Sequence, residues 1–440
     1  MIAEVSRKKW TILIYFAGDN NLSEECVFAL KEMQAVGTND YDVLVQFDPA
    51  GRGNPTRRFH FRGLTAHKSL EELEIKQLDE TDTGARSTLV NFLTQGMNAF
   101  RADYYMVVLS GHGGGADEDY FLRDEDRPQS LVPRSLSMPD FNRVFRERAL
   151  AGALKGRRIN ILGLDACVMS MIEICYELRN SKVDLLAGSE GYTLNAGWPY
   201  GSLLSLINKD PHIDPESLAR QLPQLYTDAY EEYDIGGISA DLSVLKVSEV
   251  RVLKAKIKKL ASAMRKQLSS SIKNDQFGLS TEFRRAIVLA HWLAQSYNGE
   301  QCVDLYDFCE CLLKCCELEQ YSHTSIIKAC NDVMEAIGRI VLGSKNTGSD
   351  FQYSNGVSIY FPWSEVEIAP HYKYLDFVAG EAGAKKENRK GWYTFLLRYV
   401  KATQRAPRPG VRLTPPYHRG PGKVLVHSMR NPPRAKSKEY

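Results

Sequence analysis

No stretch of this 440-residue chain approaches the roughly 20 consecutive apolar residues that a membrane-spanning helix needs, so the sequence carries no membrane partner of that kind. The nearest thing to a targeting segment is Arg7-Lys8-Lys9 followed by apolar Trp10 to Ala17. That run is short and lacks a small-x-small cleavage pattern, so it reads as a first buried strand. The nine cysteines are an odd number without regular spacing, which excludes a small disulfide scaffold and points to a reducing compartment, the cytoplasm. No paired C-x-x-C and no contiguous Asp/Asn-rich calcium loop occurs, so no resident metal or cofactor is expected. Strong net charge is also missing: the formal balance is +2.

That balance hides an asymmetry. The last forty residues hold ten Lys or Arg against one acid, Glu439, together with seven of the eighteen prolines. Residues 401–440 therefore read as an extended, disordered basic arm. The remaining 400 residues carry 46 Lys and Arg against 53 Asp and Glu. Their length allows one large core with additions, or two domains.

The first two hundred residues repeat one unit, a short apolar run, a Gly/Asp-rich turn and a helical pattern. The runs are Thr11 to Phe16, Val43 to Phe47, Tyr105 to Leu109, Ile159 to Leu164 and Val183 to Ala187. Continuous apolar strands separated by helix-length segments predict an α/β fold with a mostly parallel central sheet covered by helices on both faces. Residues 1–205 form this expected catalytic core. Residues 206–400 are a helix-rich elaboration, with Val357 to Phe361 as a strand returning to the main sheet. The elaboration contains Cys302, Cys309, Cys311, Cys315, Cys316 and Cys330; Leu305, Phe308, Leu312, Cys315 and Cys316 mark a buried helical stripe rather than a metal site.

Two strings fall where buried strands end: Ser110-Gly111-His112-Gly113-Gly114-Gly115 and Asp165-Ala166-Cys167. In parallel sheets ligands bind beyond the carboxyl ends of the strands. A histidine and a cysteine delivered to one sheet edge make a nucleophile and its proton partner. Val168, Met171, Ile172, Cys175 and Leu178 follow helical spacing, which predicts Cys167 in a helix's first turn, where backbone N–H groups stabilise a thiolate. The glycines after His112 let an oxyanion approach the N–H groups closely.

These residues resemble the clostripain-type cysteine peptidases, a family with a caspase-like fold. The resemblance is carried by Tyr15-Phe16-Ala17-Gly18-Asp19-Asn20-Asn21-Leu22, the two strings above, Ser189-Glu190 with Gly197-Trp198, Asp304 to Phe308, and Gly356 to Pro362. It implies an endopeptidase acting on polypeptides, with Cys167 as nucleophile and His112 protonating the leaving amine. Gly113 and Cys167 would supply the oxyanion N–H groups, without a third orienting side chain. Asp165 would line the pocket for a substrate Arg or Lys, its side chain on the face of Cys167; its other reading is a helix N-cap. Glu190 and Asn195 are further pocket candidates, and Trp198 is either a groove wall or core.

The resemblance also implies a zymogen cut between the two strings by itself or by an activating protease, with Arg134 and then Arg127 as processing candidates. A regulatory partner fits the same logic. Calcium is a family possibility that no motif here supports. Two other functions compete. Ala187-Gly188-Ser189-Glu190-Gly191 approximates the nucleophile elbow of a serine hydrolase, with His212, His291 or His323 as partner. The basic tail could instead make this a binding or regulatory protein that engages nucleic acid or an acidic partner.

Overall fold

Five apolar runs separated by helix-length segments can bury both faces only in the middle of a sheet, and the computed structural model places all five there. It describes residues 7–118, 120–126, 134–273, 279–379 and 391–403. The strands in chain order are β1 (Lys8–Gly18), β2 (Asp42–Pro49), β3 (Arg57–Phe61), β4 (Glu74–Gln77), β5 (Ala102–Ser110), β6 (Phe121–Asp124) and β7 (Arg134–Leu136). They continue with β8 (Ile159–Asp165), β9 (Val183–Gly188), β10 (Ala240–Lys246), β11 (Ser296–Tyr297), β12 (Cys302–Asp304), β13 (Val341–Thr347) and β14 (Ser358–Tyr360).

Nine of them form the main sheet, in the order β13-β10-β9-β8-β5-β1-β2-β3-β4. The central five, β9, β8, β5, β1 and β2, run parallel, and antiparallel strands finish both sides. One face packs residues such as Leu13, Phe92, Leu162, Ile172 and Phe308. The other packs Trp10, Phe16, Ile161, Leu204 and Tyr226. The crossover before β8 starts with a helix at Met138–Phe145, where Pro139 occupies the first turn and the Ser137 hydroxyl accepts from the Asp140 amide at 3.2 Å.

Three expectations change. Val357 to Phe361 does not rejoin the main sheet: β14 pairs with β12 in a separate three-stranded sheet, β11-β12-β14. The elaboration's strands in the main sheet are β10 and β13, which pair with each other, β13 at the edge. Residues 1–205 are accordingly not a closed unit, since β10 and β13 complete their sheet. The third change concerns the end of the body, because the last helix, Trp392–Thr403, runs past residue 400. Residues 404–440, and with them the expectation for the basic arm, lie outside the described residues.

The helices of the elaboration follow their apolar stripes: Pro215–Tyr230, Val250–Lys273, Leu305–Leu318 and Thr324–Ile340. The six cysteines of residues 302–330 are buried, and none of the nine cysteines is joined in a disulfide. Burial pushes the Cys316 thiol up to about 12. Among the described residues no helix is long and apolar enough to cross a membrane.

Candidate active site

Parallel register decides which strand ends meet. Ser110, the last residue of β5, pairs with Phe16 of β1 on one side and with Asp165, the last residue of β8, on the other. The segments leaving β1, β5 and β8 therefore emerge side by side. They are the Gly18-Asp19-Asn20-Asn21 turn, the His112 string and the Cys167 string.

Glycine brings the latter two into contact. A methyl group on Gly113 would lie 2.9 Å from the Cys167 carbonyl oxygen and 3.0 Å from the Ala166 side chain, so only glycine admits this backbone approach. Gly113 then faces Phe121 in an antiparallel bridge. The bonds of that bridge are made by its neighbours, with Leu122 N–H donating to the His112 carbonyl at 2.9 Å and Gly114 N–H to that of Tyr120 at 3.1 Å. In such a pair the intervening amide points the other way, so the Gly113 N–H is left out of the ladder and is available to an oxyanion.

Cys167 sits in a turn, not in the first turn of a helix. The next helix begins only at Ile172. Val168 holds a left-handed backbone, φ 59°, which breaks the expected helical stripe. Backbone bonds from Val168 N–H to the Gly191 carbonyl (2.9 Å) and from Ser170 N–H to the Ser189 carbonyl (2.8 Å) pin that turn to the loop after β9. The same loop touches Cys167: the Thr193 amide donates to Sγ at 3.3 Å. Burial raises the thiol pKa, and the Thr193 contact draws it back only in part. With no helix terminus to ionise it, Cys167 rests as a neutral thiol.

His112 is half-buried, and desolvation lowers its pKa, with Glu125 pulling up and Arg123 pushing down. Its Nε2 lies 2.6 Å from Oδ1 of Asn21. A third side chain thus meets the histidine ring, contrary to expectation. Asn21 stands 91 residues earlier, and nothing in its spacing pointed to the histidine.

Asp165 is 3% exposed at the end of β8. Tyr200 donates its hydroxyl to Oδ2 at 2.8 Å, whereas Oδ1 makes no hydrogen bond of good geometry. Burial raises the carboxyl pKa; the Tyr200 hydroxyl, the Trp198 amide and the Ser110 hydroxyl offset this in part. A methyl on Gly197 would lie 2.7 Å from Oδ2, so that glycine lets the loop close over the acid. The N-cap reading fails because no helix follows within six residues. The expectation that Asp165 shares a face with Cys167 fails as well. Strand alternation ends at Asp165: that side chain meets Tyr200 on the face holding Trp198, while Cys167 packs against the opposite core.

The remaining candidates separate. Glu190 is fully buried and does not reach the pocket; its Oε2 accepts from the Gly356 amide at 2.7 Å. Its carboxyl also faces that of Asp304, a contact that one shared proton satisfies, and its pKa is raised well above normal by burial and by Asp304 and Asp241. Trp198 is core at 3% exposure, its ring 2.7 Å from where a Gly163 methyl would be, and Asn195 is exposed on the loop. Ser189 is buried and donates its hydroxyl to the Asp241 carbonyl at 2.6 Å, which removes it as an elbow nucleophile. His291, one of its possible partners, is stacked between Phe361 and Trp363 in the core. Arg134 opens β7, opposite Asp124 in β6, and pairs with Asp82 at 3.0 Å. Arg127 lies outside the described residues.

Comparison with known proteins matches residues 14–392 to a family model described as the clostripain family. Clostripain of Hathewaya histolytica is 21% identical over 424 residues, covering 83% of this chain and 77% of that protein. A secreted C11 cysteine protease from Bacteroides thetaiotaomicron, solved with an irreversible peptide inhibitor, is similar with a TM-score of 0.59 at 21% identity, over 84% of this chain and 98% of that one. An inactive zymogen C11 protease from Parabacteroides distasonis has a TM-score of 0.54 at 19% identity, over 85% and 98%.

Proposed function

The chain belongs to the clostripain family and is a cysteine peptidase; from that premise we propose that it is an endopeptidase cleaving after Arg or Lys by a Cys167–His112 dyad. The observation that carries the assignment is the meeting of the two strings at Gly113 and Cys167, so close that a methyl on Gly113 would lie 2.9 Å from the Cys167 carbonyl oxygen. Both partners rest neutral, so the histidine takes the thiol proton as sulfur attacks the scissile carbonyl. The oxyanion that forms is met by the Gly113 and Cys167 amides, each such donor worth roughly 3 kcal/mol in the transition state. His112 returns the proton to the leaving amine, whose C–N bond breaks to leave a thioester. It then takes a proton from the water that hydrolyses that thioester, restoring the thiol.

The Asp165 carboxylate, one oxygen of which lacks a hydrogen bond, supports the preference for a basic side chain: a guanidinium or ammonium would fill that oxygen and relieve its burial. The peptide inhibitor bound by the B. thetaiotaomicron protease supports a polypeptide substrate. Zymogen processing between the strings remains part of the proposal. Arg134 is a poor site while β7 is paired, because a strand-paired bond must unzip before it enters an active site. Among the described residues no group of three or more His, Cys, Asp or Glu side chains is arranged to hold a metal ion.

The test is a peptide-library digest with wild type and Cys167→Ala, together with intact mass. Cleavage after Arg and Lys by wild type alone is expected, with the precursor cut in wild type and intact in the variant. Activity persisting in Cys167→Ala ends the dyad reading. Cleavage after other residues ends the role of Asp165.

A further inference from the structure

The motif Gly18-Asp19-Asn20-Asn21-Leu22 carries no role in the dyad as described, yet β1 delivers it beside His112. We propose that Asn21 is the positioning residue of the dyad, whose side-chain carbonyl fixes the tautomer of His112 so that Nδ1 is the nitrogen that exchanges protons with Cys167 and the leaving amine. The inference rests on His112 being the proton carrier.

The turn is built to hold one side chain still. Asn20 is buried, and its amide donates to the Ala17 carbonyl at 2.9 Å and to the Arg123 carbonyl at 2.7 Å. Its Oδ1 accepts from the Leu22 amide at 2.9 Å, closing an Asx turn around Asn21. Asp19 ties the other side: its carbonyl accepts from the Glu125 amide at 2.9 Å, and its carboxylate from the amides of Asp126 (3.1 Å) and Gly51 (3.2 Å). From this anchored turn Asn21 presents Oδ1 at 2.6 Å from Nε2.

An amide carbonyl only accepts hydrogen bonds, so Nε2 must carry the proton and Nδ1 is the free base. During turnover the Nε2–H stays on Asn21, while Nδ1 takes the thiol proton and passes it to the amine. A carboxylate at this place would also fix the tautomer, but it would raise the imidazole pKa by stabilising its cation. The neutral amide orients without that charge, which suits a histidine that must begin as a base. Glu125 and Arg123, on the segment packed against the ring, add opposing charges that act on its pKa.

Imidazole 15N NMR of the full chain in the Cys167→Ala background reads the tautomer without any need for activity. Protonated Nε2 and free Nδ1 are expected near neutral pH, with a tautomer mixture once Asn21→Ala is added. The reverse tautomer, or a spectrum that Asn21→Ala leaves unchanged, overturns the proposal. In the active enzyme Asn21→Ala should lower kcat by about tenfold or more with KM within about threefold, the scale of misplacing a general acid–base. Asn21→Asp should recover most of the rate and move the acid limb of the pH profile upward. Wild-type kcat in Asn21→Ala, or Asn21→Asp with an unshifted profile, would also sink it. Activity surviving in Cys167→Ala instead overturns the peptidase mechanism and leaves the tautomer measurement standing on its own.

Discussion

Two buried carboxylate sites flank Cys167, and they differ in what surrounds the acid. Asp165 is a lone acid under Gly197 and Tyr200 with one oxygen lacking a hydrogen bond. Glu190, Asp241 and Asp304 form a cluster of three buried acids. Asp241 accepts from the Glu190 and Gly191 amides at 2.7 and 3.0 Å, Asp304 from the Asp307 amide at 2.6 Å, and Glu190 from the Gly356 amide at 2.7 Å. One oxygen of each acid, Oδ1 of Asp165 and Oε1 of Glu190, lacks a hydrogen bond, so the sites differ in their neighbours: Glu190 stands among further acids and loop amides that tie segments together, Asp165 beside the Tyr200 hydroxyl. Here the cluster joins the loop after β9 to the β12 and β14 segments of the elaboration. It thereby anchors the loop whose Thr193 amide touches Cys167.

Isosteric amides should separate the two sites. Asp165→Asn removes the charge proposed to read a basic side chain, and kcat/KM on Arg substrates should fall by about a hundredfold or more, the scale of roughly 3 kcal/mol for an unpaired buried charge. Its thermal stability should hold or rise, since the raised pKa means the folded state bears a desolvation cost at neutral pH. An equal loss of stability would make Asp165 structural and erase the contrast.

Glu190 should behave the other way. Glu190→Ala orphans the Gly356 amide and opens a cavity, lowering stability by roughly 2–4 kcal/mol, whereas Glu190→Gln supplies the shared hydrogen to Asp304 and should stay within about 1 kcal/mol with activity retained. Denaturant unfolding and peptidase assays measure both. A Glu190→Gln enzyme as impaired as Asp165→Asn would place Glu190 in the pocket after all.

The smallest effect is the pH dependence of folding. Burial lifts Asp241 to about 6 and Asp304 to about 7, with Glu190 raised alongside, and elsewhere it lifts Glu173, Glu177 and Asp124 to about 7 and Asp48 to about 8. Folded-state values above the unfolded ones mean that the native state binds more protons between pH 4 and these values. Their contribution is complete below the unfolded pKa near 4 and is lost as pH rises through 6 to 8. Melting curves should therefore show Tm falling by a few degrees from pH 5.5 to 8.5, with a shallower fall in Glu190→Gln. A Tm that rises over that window contradicts shared protons.

Much of this site was legible in the sequence because its parts are local. Apolar runs buried on both faces announce parallel strands, and residues just past such runs, His112 and Cys167, belong at the sheet edge. Reading failed where the signal was not local. The helical stripe after Cys167 satisfied a periodicity, but the left-handed turn at Val168 and its bond to the Gly191 carbonyl delayed the helix to Ile172. Strand alternation placed Asp165 and Cys167 on one face, yet that rule lapses where the strand stops. Glu190 looked like a pocket acid because its partners Asp304 and Gly356 are more than a hundred residues away. Val357 to Phe361 had strand character, but character does not name a partner, and β13 had taken the edge.

The sequence by itself determined the central strands, the candidate catalytic residues and the glycine run beside them, since these follow from burial and backbone sterics within a few residues. Tertiary structure alone decided the partners: Asn21 on His112, Tyr200 on Asp165, Asp304 on Glu190. A hydrogen bond needs its two atoms within about 3 Å, and only the register of β1, β5 and β8, together with the packing of the loop after β9, brings residues so distant in the chain to that range.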